Sequence, residues 1–191
     1  MDRGKDISTQ VIISGGLLQM FGLGVLIIGD SGIGKSECAL ELISRGHLFV
    51  SDDVTRFVKE GSDKLLGSAP EFSKNFMEIR GLGIINIKEI FGTKSLCRQT
   101  KVDIVIKLTR WEKGKEYDRL GLEFPDGYEI LGQKVSQIII PVAPGRSIAT
   151  LIEVAGKVFL CRQNGYHAPK ELIKRMDRAL SQKSNTQREQ K

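Results

Sequence analysis

The segment Gly29-Asp30-Ser31-Gly32-Ile33-Gly34-Lys35-Ser36 is a GxxxxGKS loop, and its flanks limit what the surrounding chain can fold into. Before it, Val25-Leu26-Ile27-Ile28 is apolar and rich in β-branched residues, as a buried strand requires. After it, Glu37-Cys38-Ala39-Leu40-Glu41-Leu42-Ile43 is amphipathic at helical spacing, and Gly46 can end that helix. A strand, a glycine loop and a helix N-terminus in succession make an anion site. Unpaired backbone N–H groups converge there, and the helix dipole favours negative charge. Lys35 is spaced to reach the β- and γ-phosphates of a nucleoside triphosphate, and the Ser36 hydroxyl to hold Mg2+. A glycine-rich turn matching by chance is the competing reading, and it leaves both flanks unexplained.

At 191 residues the chain suits one domain with a full core. No apolar run is long enough to span a bilayer, and Met1-Asp2-Arg3 does not open a signal segment, so no membrane association is expected. Cys38, Cys97 and Cys161 are odd in number and lack CxxC or Cys/His ligand spacing. Buried or inert thiols in a reducing cytosol are therefore expected, in place of a disulfide or a zinc site. The net charge of +6 is uneven: Lys157–Lys191 carries nine Lys/Arg against three Asp/Glu, and residues 1–156 hold twenty of each. That excess reads as a solvated helix face and tail, or as a docking surface for an acidic protein. Nucleic acid is disfavoured as a partner, because no aromatics are interleaved with those charges.

Strands are expected at Val11–Ile13, Leu17–Leu23, His47–Asp53, Leu65–Ala69, Val102–Leu108 and Gln137–Val142, with Gly22 and Gly24 permitting a tight turn. Pro70-Glu71 starts a short helix, and Thr150–Arg162 is a longer apolar run interrupted by Gly156. Leu172, Ile173, Met176, Ala179 and Leu180 share one face of a final helix, with Lys170, Lys174, Arg175 and Arg178 around the other. Beyond Ser181 the composition predicts a disordered tail. One helix after the loop and strands clustered downstream do not make the βαβ alternation of a doubly wound sheet.

Phosphoryl chemistry at such a loop needs a metal carboxylate and a group to handle the acceptor's proton. The apolar strand Val102–Leu108 ends in Lys107-Leu108-Thr109-Arg110, with no acid. The alternative source is Asp52-Asp53; successive strand residues face opposite ways, so only one of the pair is expected to enter the site directly. A helix cap or a turn would explain two neighbouring acids equally well. In Met77-Glu78-Ile79-Arg80-Gly81-Leu82-Gly83-Ile84-Ile85-Asn86, Glu78 could reach Mg2+ and Arg80 could pair with a carboxylate or phosphate; a structural turn with an exposed ion pair is the plainer reading. Arg119 and Arg146 stand in loop-like settings, where each could neutralise phosphoryl charge or be an ordinary surface residue. His47 and His167 have no Ser or Cys partner pattern.

Taken in order, GDSGIGKSE, ALELISRGH, Asp52-Asp53, GSAPEF, EIRGLGIINIKEIFG, YDRLGLE and PGRS resemble the catalytic domain of the bacterial HPr kinase/phosphorylase family, over about residues 14 to 180. The resemblance implies an α/β fold: a P-loop domain of the phosphoenolpyruvate carboxykinase-like type, with a mixed, mostly antiparallel sheet and a C-terminal helical segment. Residues 1–181 would be the catalytic domain and 182–191 a disordered basic tail. It further implies a cytoplasmic homo-hexamer that uses ATP and Mg2+ to phosphorylate a serine of the phosphocarrier HPr. The reverse task is also implied, in which inorganic phosphate removes the group as pyrophosphate.

By the family pattern, Asp53, the second acid of the pair after Asp52, exchanges the proton in both directions. Lys35 holds the phosphates, Ser36 and Glu78 serve the metal, and Arg119 assists transfer. Arg80 and the stretch from Pro141 through Gly145 to Arg146 go with the dephosphorylation direction. Two departures stand out. Ser14-Gly15-Gly16 replaces a segment that usually contains a catalytic histidine, and PVAPGRS replaces PVRPGRN, changing Ala143 and Ser147. The N-terminal domain of many members is also not recognisable. These departures leave open a kinase with another hydroxyl acceptor, or a nucleotide-sensing regulator without turnover.

Overall fold

The computed structural model describes residues 10–61, 64–119 and 121–188. β1 (Gln10–Ser14) passes through Gly15 into β2 (Gly16–Met20), and Phe21-Gly22, both at positive φ, return the chain as β3 (Leu23–Ile28). The expected strand Leu17–Leu23 is thus broken by a two-residue turn whose backbone suits glycine at its second place. After the Gly29–Gly34 loop comes α1 (Lys35–Ser44), which ends before Gly46 at φ 95°, and β4 (Leu48–Ser51) pairs with β2.

β5 (Val54–Glu60) and β6 (Lys64–Ser68) form a hairpin, and β7 (Phe76–Ile79) and β8 (Gly83–Asn86) a second. Asn86 then caps α2 (Ile87–Phe91) by accepting from the Lys88 and Glu89 N–H groups. β9 (Gln99–Lys101) joins β6, and β10 (Ile104–Arg110) lies parallel to β3. β11 (Tyr128–Ile130) and β12 (Gln133–Val142) complete the strands. The run Thr150–Arg162 folds as α3 (Ile148–Gln163), followed by α4 (Ala168–Arg188).

A six-stranded sheet of order β11-β12-β10-β3-β2-β4 packs between a four-stranded sheet, β1-β5-β6-β9, and the helices. Among the described strands, β3, β10 and β12 run parallel and the other pairs are antiparallel, as the mixed fold class requires. β3 is buried along its whole length because it has protein on both sides. Val25 and Ile27 pack with Ala39, Leu42, Ala149 and Ile152 of α1 and α3, and Leu26 and Ile28 with Phe57 and Leu65 of the other sheet. Each such buried Leu or Ile contributes about 1.5–3 kcal/mol. β3 and the helix that follows its loop are therefore anchored from two sides.

A polar clamp adds to this at the far end of α1. Arg45 bonds Glu41, Glu153 and the Thr150 hydroxyl, and His47 Nε2 lies 3.1 Å from Glu153, whose carboxyl His47 and then Arg45 hold below the usual carboxylate range.

α4 runs on to Arg188, seven residues into the stretch read as a tail; no Gly or Pro after Pro169 interrupts it, and residues 189–191 lie outside the described ones. Its apolar face is not packed on the body: Leu172, Met176 and Leu180 are each more than half exposed. The thiols are free and differ in setting: Cys38 is buried, Cys97 half-buried and Cys161 exposed. Burial, then Glu41 and Glu37, pushes the Cys38 thiol up to about 11, so it stays neutral at physiological pH. No described helix is long and apolar enough to cross a membrane.

Gly24 belongs to a strand crossing and not to the turn. A Cβ there would stand 1.8 Å from the Lys101 carbonyl oxygen, while the Gly24 N–H donates to the Asp103 carboxylate and the Asp103 N–H donates back to the Gly24 carbonyl, both at 2.9 Å. Gly24→Ala must therefore push β9 off β3. It is expected to destabilise the fold by at least ~1–3 kcal/mol, read as a lowered midpoint in chemical denaturation.

Candidate active site

Gly29, Gly32 and Gly34 take positive φ, at 151°, 76° and 100°. At Gly29 the requirement is also one of space, because a Cβ would lie 2.7 Å from the Leu108 carbonyl oxygen at the end of β10. Ile33 is buried and its N–H donates to the Asp30 carbonyl, which fixes the loop's curve. Gly34 is the N-cap of α1 and offers no side-chain cap, so the first-turn N–H groups face the loop's concavity without an acceptor a turn earlier. Lys35 lies along the loop, its ammonium donating to the carbonyls of Gly29 (2.9 Å) and Asp30 (3.1 Å).

The acidic pair occupies the corner where β4 leaves one sheet and β5 enters the other. Asp52 is buried, and its carboxylate accepts from the Ser36 hydroxyl (3.0 and 3.2 Å) and the Glu78 N–H (3.3 Å). Burial pushes its pKa up; the bonds from Ser36, Glu78 and the Asp53 backbone act against that shift.

Asp53 is exposed and sits at φ 59°. The Val54 N–H donates across it to the Asp52 carbonyl (2.6 Å), and the Gly15 N–H donates to the Asp53 carbonyl (2.7 Å). This three-residue turn is why both acids, and not one, line the cleft: the chain turns at Asp53 instead of continuing as a pleated strand.

From β7 come Glu78 and, just past its end, Arg80. Arg80 donates to the Ser31 hydroxyl (3.4 Å) and lies over Gly32, where a Cβ would meet its guanidinium at 2.9 Å. The resulting cleft, of about 180 Å3, is lined by Ser31, Gly32, Gly34, Lys35, Ser36, Glu37, Asp52, Asp53, Glu78 and Arg80. Glu37 is the member that sequence reading passed over, although it directly follows the GKS triplet on the first turn of α1.

Four carboxylates against two cations would repel a polyphosphate unless a divalent cation came with it. Among the described residues no group of three or more His, Cys, Asp or Glu could hold a metal by itself. The carboxylates and the Ser36 hydroxyl are hard oxygen donors of the kind that fit Mg2+, which takes one or two protein ligands and completes its shell with phosphate oxygens and water.

Arg119, Pro141, Gly145 and Arg146 are not among the residues lining this cleft. Arg119 is exposed in the irregular segment after β10. Arg146 closes a turn on Ala143 (N–H to carbonyl, 3.2 Å) and donates from its side chain to the Pro141 carbonyl. The departure at Ser14-Gly15-Gly16 adjoins the acidic corner itself: a Cβ on Gly16 would lie 3.6 Å from the Asp52 carboxylate, and one on Gly15 would strike the Ile27 carbonyl at 2.7 Å.

The loop, its uncapped helix and the sheet order define a P-loop domain whose sheet is largely antiparallel. Residues 5–176 match the model of the HPr Serine kinase C-terminal domain, and the chain belongs to that family. It is 47% identical over 172 residues to the HPr kinase/phosphorylase of Thermoanaerobacter sp. (strain X514), covering 90% of this chain and 56% of that protein. It is 47% identical over 164 residues to that of Geobacter sulfurreducens, covering 86% and 51%. The chain thus spans about half the length of these curated relatives. The solved structure of the Hpr(Ser) kinase/phosphatase from Coxiella burnetii superimposes with a TM-score of 0.75 at 34% identity, covering 85% of this chain and 98% of that one.

A non-glycine residue held at positive φ stores strain of about 1–3 kcal/mol, less for Asp than for most. Asp53→Gly is expected to raise the melting temperature while Asp53→Ala does not, since only glycine relieves the backbone. Thermal melts of the two variants against the parent read this directly.

Proposed function

We propose that the chain is the catalytic domain, over residues 1–181, of a cytoplasmic enzyme that transfers the γ-phosphoryl group of ATP to a serine of HPr. The reading includes the reverse reaction, in which inorganic phosphate takes the group and leaves as pyrophosphate. The observation that carries it is the contrast at the acidic corner: Asp52 buried on the Ser36 hydroxyl, Asp53 exposed beside it in the same cleft. In this reading the loop N–H groups and Lys35 cradle the phosphates, with Lys35 leaving its loop carbonyls to do so. Ser36 and Glu78 would hold Mg2+, with Asp52 orienting Ser36; the metal would supply charge neutralisation between the phosphates.

Asp53, accessible and without a bonded partner for its carboxylate among the described residues, accepts the serine proton as the oxygen attacks. In reverse it returns a proton to the departing serine oxygen. Arg80, above Ser31 and Gly32, is placed for a phosphoryl oxygen, and Arg119 assists from its loop. Pro141, Gly145 and Arg146 would belong to the phosphate-dependent direction. A homo-hexamer is the assembly this family resemblance favours.

A second reading, transfer to a different hydroxyl acceptor, is motivated by Ser14-Gly15-Gly16 and Ala143, which alter the surroundings of Asp53 and remove a cation. Labelled ATP incubated with the protein and purified HPr decides. Label on an HPr serine is expected, and Lys35→Ala should abolish both ATP binding and transfer. Label confined to a small molecule would support the second reading, and tight binding with no transfer a regulator without turnover.

A further inference from the structure

The chain's single tryptophan, Trp111, stands where two arginine-bearing loops begin. β10 and β12 end side by side at Arg110 and Val142, and the Trp111 N–H donates to the Val142 carbonyl (3.0 Å), carrying the pairing one residue further. This is the C-terminal edge of the parallel strands, the edge at which the Gly29 loop also leaves β3 and where open α/β sheets bind ligands.

From there the Trp111 ring makes two contacts. It stacks on Tyr117, with centroids 4.4 Å apart and planes at 26°, and the Arg146 guanidinium lies 5.8 Å from its centroid. The Tyr117 hydroxyl accepts the Glu112 N–H at 2.9 Å, closing the loop back on its own start. Arg119 follows two residues later. The segment is pinned again beyond it: Asp118 accepts the Gly121 N–H at 3.0 Å, Arg162 of α3 bonds the Gly121 carbonyl, and Arg162 stacks at 3.8 Å over Phe124. Arg119 is therefore displayed on a strap whose described residues form no helix or strand, held by an aromatic hook at one end and α3 at the other.

We propose that Trp111 is a positioning residue: stacked on Tyr117 and facing Arg146, it ties the strap that carries Arg119 to the turn that carries Arg146. An oxyanion engaged by Arg146 is thereby sensed at the strap. The proposal rests on the reading of both arginines as phosphate-handling groups. The guanidinium's contact with the half-exposed ring is weak, with Trp111 49% exposed, and its hydrogen bond is to the neutral Pro141 carbonyl, so a phosphate oxygen, being charged, draws Arg146 off the ring. Loss of the ring frees the hooked end of the strap that carries Arg119, while the P-loop, anchored through β3 and α1, is untouched.

The test uses the whole chain. Trp111→Ala is expected to lower kcat for phosphoryl transfer by about ten- to a hundredfold with ATP affinity unchanged. Trp111→Phe, which keeps the stack, should recover most of the rate, and Trp111→Leu should not. Independently of any acceptor protein, inorganic phosphate should change Trp111 emission saturably in the parent and not in Arg146→Ala. Equal rates in the Phe and Leu variants, a Trp111→Ala rate near the parent's, or emission indifferent to phosphate would each overturn the proposal. A phosphate response without transfer to HPr would leave it standing and sink the kinase reading instead. If Trp111→Ala does not fold, the Phe–Leu comparison and the parent's emission still decide.

Discussion

The contact on which the rest turns is the hydrogen bond from the Ser36 hydroxyl to the buried Asp52 carboxylate. It joins the first turn of α1 to the corner between β4 and β5, and through the Glu78 N–H it also reaches β7. Three segments far apart in sequence meet on one carboxyl group. A charge in such a setting is costly to bury, and the upward push on its pKa is the sign of that cost. The bonds it accepts offset part of the penalty, and a divalent cation on Ser36 would offset more.

The corner exists because two sheets share a run of chain. β1 and β5 belong to one sheet and β2 and β4 to the other, so Gly15 and Asp52-Asp53 are both crossing points. They lie together, Gly15 donating to the Asp53 carbonyl and Thr55 donating to the Gly15 carbonyl (2.8 Å). Asp53 is held in its left-handed conformation by this pairing, which turns its side chain out towards the cleft while Asp52 points in. Strain at a functional position is tolerated where the surroundings over-determine it, and here both sheets do so. The exchange of the expected histidine for small residues thus falls on the backbone that supports the acid.

What was legible in the sequence was local. The glycine spacing and the β-branched run before it identify the loop because each of those residues acts through its own backbone preference. Less legible was what depends on distant partners. β5 is hidden in the sequence because Arg56 and Lys59 interrupt its apolar positions, and the facing β1 and β6 are what make Phe57 core. By its residues alone Met77–Asn86 is a glycine-bearing turn with an acid and an arginine; the hairpin β7–β8 supplies the geometry that brings Glu78 and Arg80 to the loop. The even–odd rule for strands failed at Asp52-Asp53 because the strand stops there. Gly24 has the sequence setting of a turn residue, since nothing in its neighbours reveals that Lys101 crosses it.

The most direct test of the division of labour between the two acids compares Asp52→Asn with Asp53→Asn in two assays. One measures the Mg2+-dependent affinity for ATP, the other the rate of transfer to HPr serine. On this account Asp52→Asn loses the Mg2+-dependent part of the affinity. Asp53→Asn binds ATP as the parent does and loses transfer in both directions by ~10²–10⁴-fold. If Asp53→Asn keeps its transfer rates while Asp52→Asn loses both directions with ATP affinity intact, the proton carrier is the buried acid and the account is wrong.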